Sequence, residues 1–300
     1  MKLSTFDAYK TLENENIIKL SDEEIRELQD VLLSIYDDIA YVCEKYSIPV
    51  FLGGGSVLGA VRHNGFIPWD DDMDINFTRE NYEKFLPAFE KEFSDKYWIH
   101  IPGKTKGYPL LMAHIRLKDT CLKSRDDMWT DETGVCVDIF PIENTYDSKV
   151  MRMIHGTVCM YFGFAVSCRK FRQYKDWFLW IAQGNAKLEK MTKTKIAIGT
   201  LLSFRSLDKW VKKADEWNSR CKNHASKYVA VPTGRKNFFG EIYERSGFCE
   251  LIDHPFAQRV AQIPKDFETY MKALYGNYME IPPVEKRERH IFYPPVKLKK

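Results

Sequence analysis

Four aspartates crowd into five positions of the segment HNGFIPWDDDMDINF, residues 63–77. Asp70, Asp71, Asp72 and Asp74 stand between a Pro-Trp pair and an apolar run that predicts a strand. Carboxylates this close repel one another, and removing them from water is costly unless a cation or hydrogen bonds compensate. The cluster is therefore either an acidic turn open to solvent or a site for a cation.

A third carboxylate favours the cation site. Side chains at i and i+2 of a strand share a face, so Asp72 and Asp74 should converge on one point. The apolar run VCVDIF, 135–140, offers Asp138 from a second strand. Carboxylates with open coordination positions suit one or two Mg²⁺ ions that also hold substrate phosphates. The sequence predicts Mg²⁺, with Mn²⁺ as the alternative ion. An EF-hand fails because Ile75 and Asn81 stand where it needs Gly and Glu.

A glycine-rich turn, GGGS at 53–56, precedes the aspartates by about twenty residues and follows a short apolar run. Amides at a helix start, with glycines that admit close approach, form a cradle for phosphate. A P-loop fails because Ala60 and Val61 replace its Lys-Ser/Thr, and a dinucleotide motif fails at Leu58. A plain tight turn explains most such glycines, but the Asp-x-Asp that follows favours phosphate binding.

The elements around these residues predict an α/β or α+β first half. Ser21 and Glu24 form a capping box ahead of a helix that runs to about Tyr46. A second helix should begin with Ser56 as its N-cap, and a third with Thr78. The predicted strands are 50–52, 73–77, 97–101, 112–118 and 135–140.

The second half changes character at about residue 147. Long apolar stretches predict helices there, and the chain beyond 225 is expected to be rich in loops. The prolines of YGNYMEIPPVEKRERHIFYPP should exclude regular structure near the C-terminus. Residues 169–213 hold twelve Lys and Arg against three Asp and Glu. This bias indicates a solvated helix face or, as the alternative, a surface that meets anionic lipid or an anionic polymer.

Composition limits the function classes. A net charge of +3, from 45 basic and 42 acidic residues, argues against a general nucleic-acid binder. Seven scattered cysteines without a CxxC pair favour free thiols in a reducing compartment. The first residues, MKLSTFDAYKTLENEN, lack the apolar core of a signal peptide, and no run reaches the roughly 18 apolar residues of a spanning helix. A cytoplasmic protein is expected.

Three blocks of sequence resemble the LicD family of the nucleotidyltransferase superfamily. They are LGAVRHNGFIPWDDDMDI, VDIFPIE and YGNYMEIPPVEKR. The resemblance implies an α+β fold: a polymerase-β-like core, in which helices pack on a mixed sheet, and a mainly helical C-terminal part. It divides the chain into a catalytic core with an N-terminal helix, 1–145, and a helical, loop-rich part, 146–300, that completes the site and the acceptor surface.

The resemblance also assigns roles to single residues. It places the metal and the chemistry at Asp72, Asp74 and Asp138, and Asp138 is the candidate to accept a proton from the nucleophile. The phosphate-binding turn and the RH pair of the first block correspond to Gly54, Gly55, Ser56, Arg62 and His63.

The family's bacterial members move phosphocholine from CDP-choline onto surface glycans, and its animal relatives include the fukutin-related ribitol-phosphate transferases. The resemblance therefore implies a metal-dependent bacterial transferase that moves phosphocholine or a similar alcohol phosphate from a CDP-alcohol. The acceptor would be a hydroxyl of teichoic acid, capsule or lipooligosaccharide, and CMP would be released. A lipid-linked acceptor implies peripheral contact with the inner membrane face.

Two other functions stay open: nucleotidyl transfer with pyrophosphate release from a nucleoside triphosphate, and a non-catalytic nucleotide-binding module. If the donor is CDP-choline, its trimethylammonium group needs an aromatic cage. The candidates for this cage are Trp69, Tyr108 and Trp129. The basic run RERH near the C-terminus, with Lys286 before it, either closes over the nucleotide or forms a solvated tail, and the tail is favoured.

Overall fold

A mixed sheet carries the segments that hold the aspartates. The structure, a computed structural model, describes residues 17–298. Its strands are β1 Phe51–Leu52, β2 Asp74–Thr78, β3 Tyr97–His100, β4 Ala113–Leu117, β5 Cys121–Ser124, β6 Cys136–Asn144, β7 Tyr228–Ala230, β8 Ile242–Glu244, β9 Leu251–Phe256, β10 Arg259–Pro264 and β11 Phe292–Lys297. Within the described chain, seven of them form one sheet in the order β1-β2-β6-β4-β3, which β7 and β8 extend from β6.

Helices cover this sheet and build the second half of the chain. They are α1 Asp22–Lys45, α2 Gly54–His63, α3 Arg79–Phe93, α4 Lys149–Gln173, α5 Lys175–Ala182, α6 Ala186–Leu201, α7 Leu207–Asn218, α8 Asn237–Gly240, α9 Arg245–Phe248 and α10 Phe267–Tyr275, with 3₁₀ turns at Leu202–Phe204 and Val284–Lys286. The mixed sheet with its helices confirms the predicted α+β class. Within residues 17–298, no helix is both long and apolar enough to cross a bilayer.

The centre of the sheet is the parallel pair of β2 and β6. Their register sets Asp74 opposite Asp138 and Ile75 opposite Ile139. The alternate positions Ile75, Phe77 and Ile139 are fully buried, because one face of each strand packs into the core. β1 and β4 flank this pair in antiparallel orientation. The two predicted carboxylate strands are therefore neighbours in the sheet.

Two predicted helix starts are confirmed, and one is wrong. The Ser21–Glu24 capping box closes the start of α1, and the Thr78 side chain accepts a hydrogen bond from the Asn81 amide at the start of α3. Ser56 is not an N-cap, since α2 begins two residues earlier, after Gly53. The Ser56 hydroxyl accepts a hydrogen bond from the Asp74 amide instead. A tertiary contact thus outweighs the local capping preference.

The C-terminal region is more regular than the sequence indicated. β9 and β10 form a hairpin, and β11 pairs with β5. The expectation that prolines exclude regular structure there was wrong for β11. Pro294 and Pro295 fall at the register shift between Tyr293 and Val296. A strand tolerates proline at such an irregularity because no ladder hydrogen bond needs its amide there.

The predicted helical part after residue 147 is confirmed. α4 packs against both α6 and α7, and a cluster of Ala165, Val166, Leu207, Trp210 and Val211 is buried between α4 and α7. The division of the chain into 1–145 and 146–300 stays a prediction.

A buried ion pair ties the sheet to this helical part. Nε of Arg79, directly after β2, donates to Glu143 at the end of β6 over 3.0 Å. The same guanidinium donates to Asp215 of α7 over 2.9 Å. Because Arg79 and Glu143 are almost fully buried, the pair fixes the two strands that carry Asp74 and Asp138.

Candidate active site

The structure brings the three predicted metal-binding aspartates to one end of β2 and β6. Asp74 is the first residue of β2, opposite Asp138 of β6, and the Asp138 amide donates to the carbonyl of Met73 over 3.0 Å. Asp72 and Asp138 keep 31% and 26% of their side-chain surface exposed. These carboxylates are therefore largely buried, but Asp72 and Asp138 still reach solvent.

The pKa values of these three carboxyl groups are raised by burial and by neighbouring negative charges. Burial, then the charges of Asp72 and Asp138, raises the pKa of Asp74 well above its ordinary value. Burial and the charge of Asp72 raise the pKa of Asp138 to about 7. Burial also raises the pKa of Asp72, although the charge of His290 opposes that shift. The carboxylates repel one another in a poorly solvated place, and a bound cation would relieve this repulsion.

The glycine turn packs directly against these aspartates. Gly54 has a φ of +38°, and a Cβ there would collide with the carboxylate of Asp74. The Gly55 amide donates to Oδ2 of Asp74 over 3.3 Å, and a Cβ on Gly55 would lie 3.2 Å from Oδ2 of Asp70. The Gly54 amide donates to the Tyr270 hydroxyl over 2.8 Å. Glycine is required here because the turn and the aspartates share the same space.

Ser56 supports the aspartates from below the turn. It is 3% exposed, and its hydroxyl accepts a hydrogen bond from the Asp74 amide over 2.9 Å. In this structure Ser56 therefore fixes the start of β2. The phosphate-binding role of Gly54, Gly55 and Ser56 stays a prediction.

Arg62 and His63 lie at the end of α2, beside the C-terminal segment. Nε of Arg62 donates to Nε2 of His63 over 2.9 Å, and Nη1 donates to the carbonyl of Tyr278 over 2.8 Å. The guanidinium also lies 6.0 Å from the ring centre of Trp69. These contacts hold the C-terminal segment against the first block, and the assignment of Arg62 to substrate phosphate stays a prediction.

His290 joins the aspartate cluster from the far end of the chain. Its Nδ1 lies 2.7 Å from Oδ1 of Asp71 and 3.7 Å from Oδ2 of Asp72, and its amide donates to Asp71. Burial alone would lower the pKa of His290, but Asp71 and Asp72 raise it well above the ordinary value. The favoured interpretation of a solvated basic tail is therefore wrong for His290. The interpretation is also wrong for Arg287, whose guanidinium carbon lies 4.0 Å from the ring centre of Trp69.

His114 of β4 is a site residue that the sequence did not reveal. Its Nδ1 lies 3.0 Å from an Arg116 nitrogen, and its Nε2 lies 3.1 Å from Oδ1 of Asp138. An arginine only donates, so Nδ1 accepts and Nε2 carries the ring hydrogen. The contact of Nε2 with Asp138 does not have the geometry of a hydrogen bond. Burial and Arg116 lower the pKa of His114 well below its ordinary value, which keeps the ring neutral. The spacing of residues along the sequence does not predict this contact, because His114 and Asp138 become neighbours only through the pairing of β4 with β6.

Potential ligand atoms also gather in two tighter groups. Among residues 17–298, three such atoms lie within 4.8 Å of one another in the group of Asp71, Asp72 and His290, and in that of His114, Cys136 and Asp138. Asp72 and Asp138 thus belong to different groups, and Asp74, which pairs with Asp138 in the sheet, belongs to neither. A cation shared by the three predicted aspartates would draw these carboxylates closer together.

The candidate cage residues do not meet as one group. Tyr108 and Trp129 contact each other with ring centres 5.2 Å apart, and the ring of Tyr108 lies 5.5 Å from His114. Tyr108 is 1% exposed. Trp69 is covered by Arg287 instead. A role for Tyr108 and Trp129 in binding choline stays a prediction.

Comparison with known proteins agrees with this geometry. Residues 47–161 match the model described as LicD/FKTN/FKRP, nucleotidyltransferase domain. The chain is 26% identical over 276 residues to the lipopolysaccharide cholinephosphotransferase LicD of Haemophilus influenzae, a match that covers 89% of this chain and 95% of that protein.

Shorter matches join the chain to two rickettsial proteins. The uncharacterized protein RP689 of Rickettsia prowazekii is 35% identical over 95 residues, which is 29% of this chain and 36% of that protein. The uncharacterized protein RT0683 of Rickettsia typhi is 33% identical over 95 residues, 29% of this chain and 31% of that one.

The matched LicD domain confirms the family resemblance that the sequence blocks suggested. It contains every predicted site residue from Gly54 to Asp138. His290 and Arg287 lie outside it, although both contact its first block. The C-terminal segment therefore contributes side chains to a site whose framework is the LicD domain.

Proposed function

We propose that this protein transfers phosphocholine, or a similar alcohol phosphate, from a CDP-linked donor to a hydroxyl of a cell-surface glycan, with CMP as the leaving group. The crowding of Asp72, Asp74 and Asp138 against a glycine turn carries the proposal. The similarity to a cholinephosphotransferase along nearly the whole of both chains supports the choice of substrate class. A CDP-linked donor is a cytoplasmic metabolite, so the reaction would take place on the cytoplasmic side of the membrane.

The donor set fits Mg²⁺, with Mn²⁺ as the alternative. Asp72, Asp74 and Asp138 supply carboxylate oxygens, the ligands that Mg²⁺ prefers, and their raised pKa values mark an uncompensated negative charge. When bound, the ion would neutralise the donor's phosphates and polarise the phosphorus that is attacked. Because Gly54 and Gly55 lack side chains, the turn packs directly against Asp74 and Asp70, and the donor's phosphates would bind beside this turn.

Asp138 would accept the proton of the attacking hydroxyl. The hydroxyl oxygen forms a bond to the distal phosphorus, the bond from that phosphorus to CMP breaks, and the hydroxyl proton passes to the carboxylate. A bound cation would offset the repulsion from Asp72 and keep Asp138 ionised, the form that can accept a proton. The neutral ring of His114, with Nε2 3.1 Å from Oδ1 of Asp138, would lie against that carboxylate oxygen and leave the other free for the proton.

His290 would hold Asp72 in place. The charged ring pairs with Asp71 at 2.7 Å and lies 3.7 Å from Asp72, so it attracts the Asp72 carboxylate in its ionised form. Asp71 is 6% exposed and pairs with His290, so it would serve as the partner of that ring rather than as a fourth metal ligand. The C-terminal segment would thus set the charge balance of the site.

The deciding experiment incubates the purified protein with CDP-choline, CDP-ethanolamine or CDP-ribitol and Mg²⁺, with and without crude acceptor glycan. We expect CMP release that depends on both the acceptor and the ion, and that is lost in Asp74→Asn. Pyrophosphate release from a nucleoside triphosphate would instead assign the protein to nucleotidyl transfer. Absence of any turnover, together with tight nucleotide binding, would indicate a non-catalytic module.

A further inference from the structure

Helix α4 exposes a large apolar face that the rest of residues 17–298 leaves uncovered. The side chains of this face are between 38% and 66% exposed. They belong to Val150, Met153, Ile154, Met160, Tyr161 and Phe164. At about 100° per residue they fall within roughly a third of the helix circumference, over a length of about 21 Å. Thr157 is the one polar residue within this arc. Contiguous exposed apolar surface of this kind marks an interaction site.

The face continues beyond α4. The rings of Tyr161 and Phe204 both contact Trp210, with centres 6.4 and 5.6 Å from it. Phe204 is 75% exposed, and Leu201 at the end of α6 is 80% exposed. We call the six α4 residues together with Leu201 and Phe204 the apolar face.

Basic residues of α6 and Arg205 lie beside the apolar face. The 25 residues of α4 include no Asp or Glu. On α6, Lys187 and Lys190 are exposed and share the side of the helix that ends in Leu201, since they precede it by 14 and 11 residues. The one acidic residue of α6, Glu189, lies 3.3 Å from Lys193. The guanidinium of Arg205 lies 5.1 Å from the ring centre of Trp210, beside Phe204.

We propose that the apolar face docks on an anionic lipid surface. A helix whose apolar side enters the headgroup boundary, with lysines and arginines beside it, is the arrangement by which proteins lie on membranes without crossing them. Anionic headgroups would attract Lys187, Lys190 and Arg205. A second copy of the chain is less suitable as the occupant, because it would bring the same basic residues and no acidic partner from α4.

This inference goes beyond the proposed reaction, because the apolar face includes none of the residues assigned to the aspartate site. The test is flotation of the full chain with phosphatidylglycerol–phosphatidylcholine vesicles, at about 50 mM and about 500 mM salt. We expect binding to the anionic vesicles at low salt, partial release at high salt, and little binding to pure phosphatidylcholine.

Two sets of variants separate the contributions of the apolar face and of the lysines. The double variant Phe164→Ser, Phe204→Ser should lower the partition coefficient at least about tenfold. Val260→Ser removes an apolar side chain that is 67% exposed on β10, outside the apolar face, and should leave binding unchanged. The pair Lys187→Gln, Lys190→Gln should weaken binding mainly at low salt.

Failure to float with anionic vesicles at low salt would overturn the inference, and so would equal binding by the phenylalanine double variant. Light scattering supplies a further check. A dimer that the double variant converts to a monomer would assign the apolar face to a second copy and overturn docking on lipid. CMP release from a CDP-alcohol with a soluble acceptor measures the proposed reaction independently, and we expect the double variant to retain it.

Discussion

Replacement of Asp138 by asparagine should stabilise the metal-free protein, and the gain should grow with pH. Burial and the charge of Asp72 raise the pKa of Asp138 to about 7, from a reference value of 3.8. A carboxyl group whose pKa is higher in the folded than in the unfolded state destabilises the fold at any pH at which the unfolded chain would ionise it. Its cost is absent below the unfolded-state pKa, grows as the pH rises through the interval between the two values, and is complete above about 7.

The magnitude follows from the difference between these pKa values. One unit corresponds to about 1.4 kcal/mol, so ionised Asp138 costs the folded state about 4 kcal/mol at pH 8 and about 2 kcal/mol at pH 5. Asparagine keeps the shape of the side chain and removes its charge. Relative to the wild type, Asp138→Asn should therefore gain about 2 to 3 kcal/mol more at pH 8 than at pH 5.

Guanidinium denaturation in EDTA at the two pH values measures this difference in the free energy of unfolding. Asp253→Asn, at an exposed position of β9, is the matched control and should change little at either pH. Added Mg²⁺ should stabilise the wild type at pH 8 and stabilise Asp138→Asn much less, because ligand binding to the folded state raises its stability. An Asp138→Asn gain that is equal at both pH values, or no effect of Mg²⁺ on the wild type, would refute the electrostatic reasoning.

Three further changes test other parts of the site. Asp74→Asn, and equally the asparagine variants of its two partners, should abolish CMP release while the melting temperature of the metal-free protein holds or rises, and near-wild-type turnover would contradict the metal assignment. Gly55→Val should weaken binding of the CDP donor at least about tenfold, or about 1.4 kcal/mol by calorimetry, whereas Gly163→Ala, with nothing within 4 Å of its added Cβ, should not. Glu143→Gln removes the buried counter-charge of Arg79 and leaves it the partly exposed Asp215, so it should cost about 3 kcal/mol in denaturation, against less than about 1 kcal/mol for Lys84→Gln in an exposed pair. Equal losses would show that the buried pair does not fix β2 to β6.

The sequence was sufficient where a feature depends on residues close together in the chain. The capping box of α1, the strand that begins at Asp74 and the glycine turn each follow from local spacing and backbone preference. Asp138 could be proposed as the third carboxylate because strand-like alternation surrounds it. Local preference failed at Ser56, whose hydroxyl bonds to the Asp74 amide, and at β11, whose prolines occupy an irregularity in the pairing.

Only the tertiary structure decided which distant groups complete the site. His290 meets Asp71 across 219 positions of sequence, and Tyr270 reaches the Gly54 amide across 216. Strand pairing turns His114 towards Asp138. Such contacts depend on chain topology and register, which no short-range pattern encodes, because a side chain's periodicity tells which face it occupies and not which element will pack there. The aspartates could therefore be found from the sequence, whereas the charges that balance them became visible only in the fold.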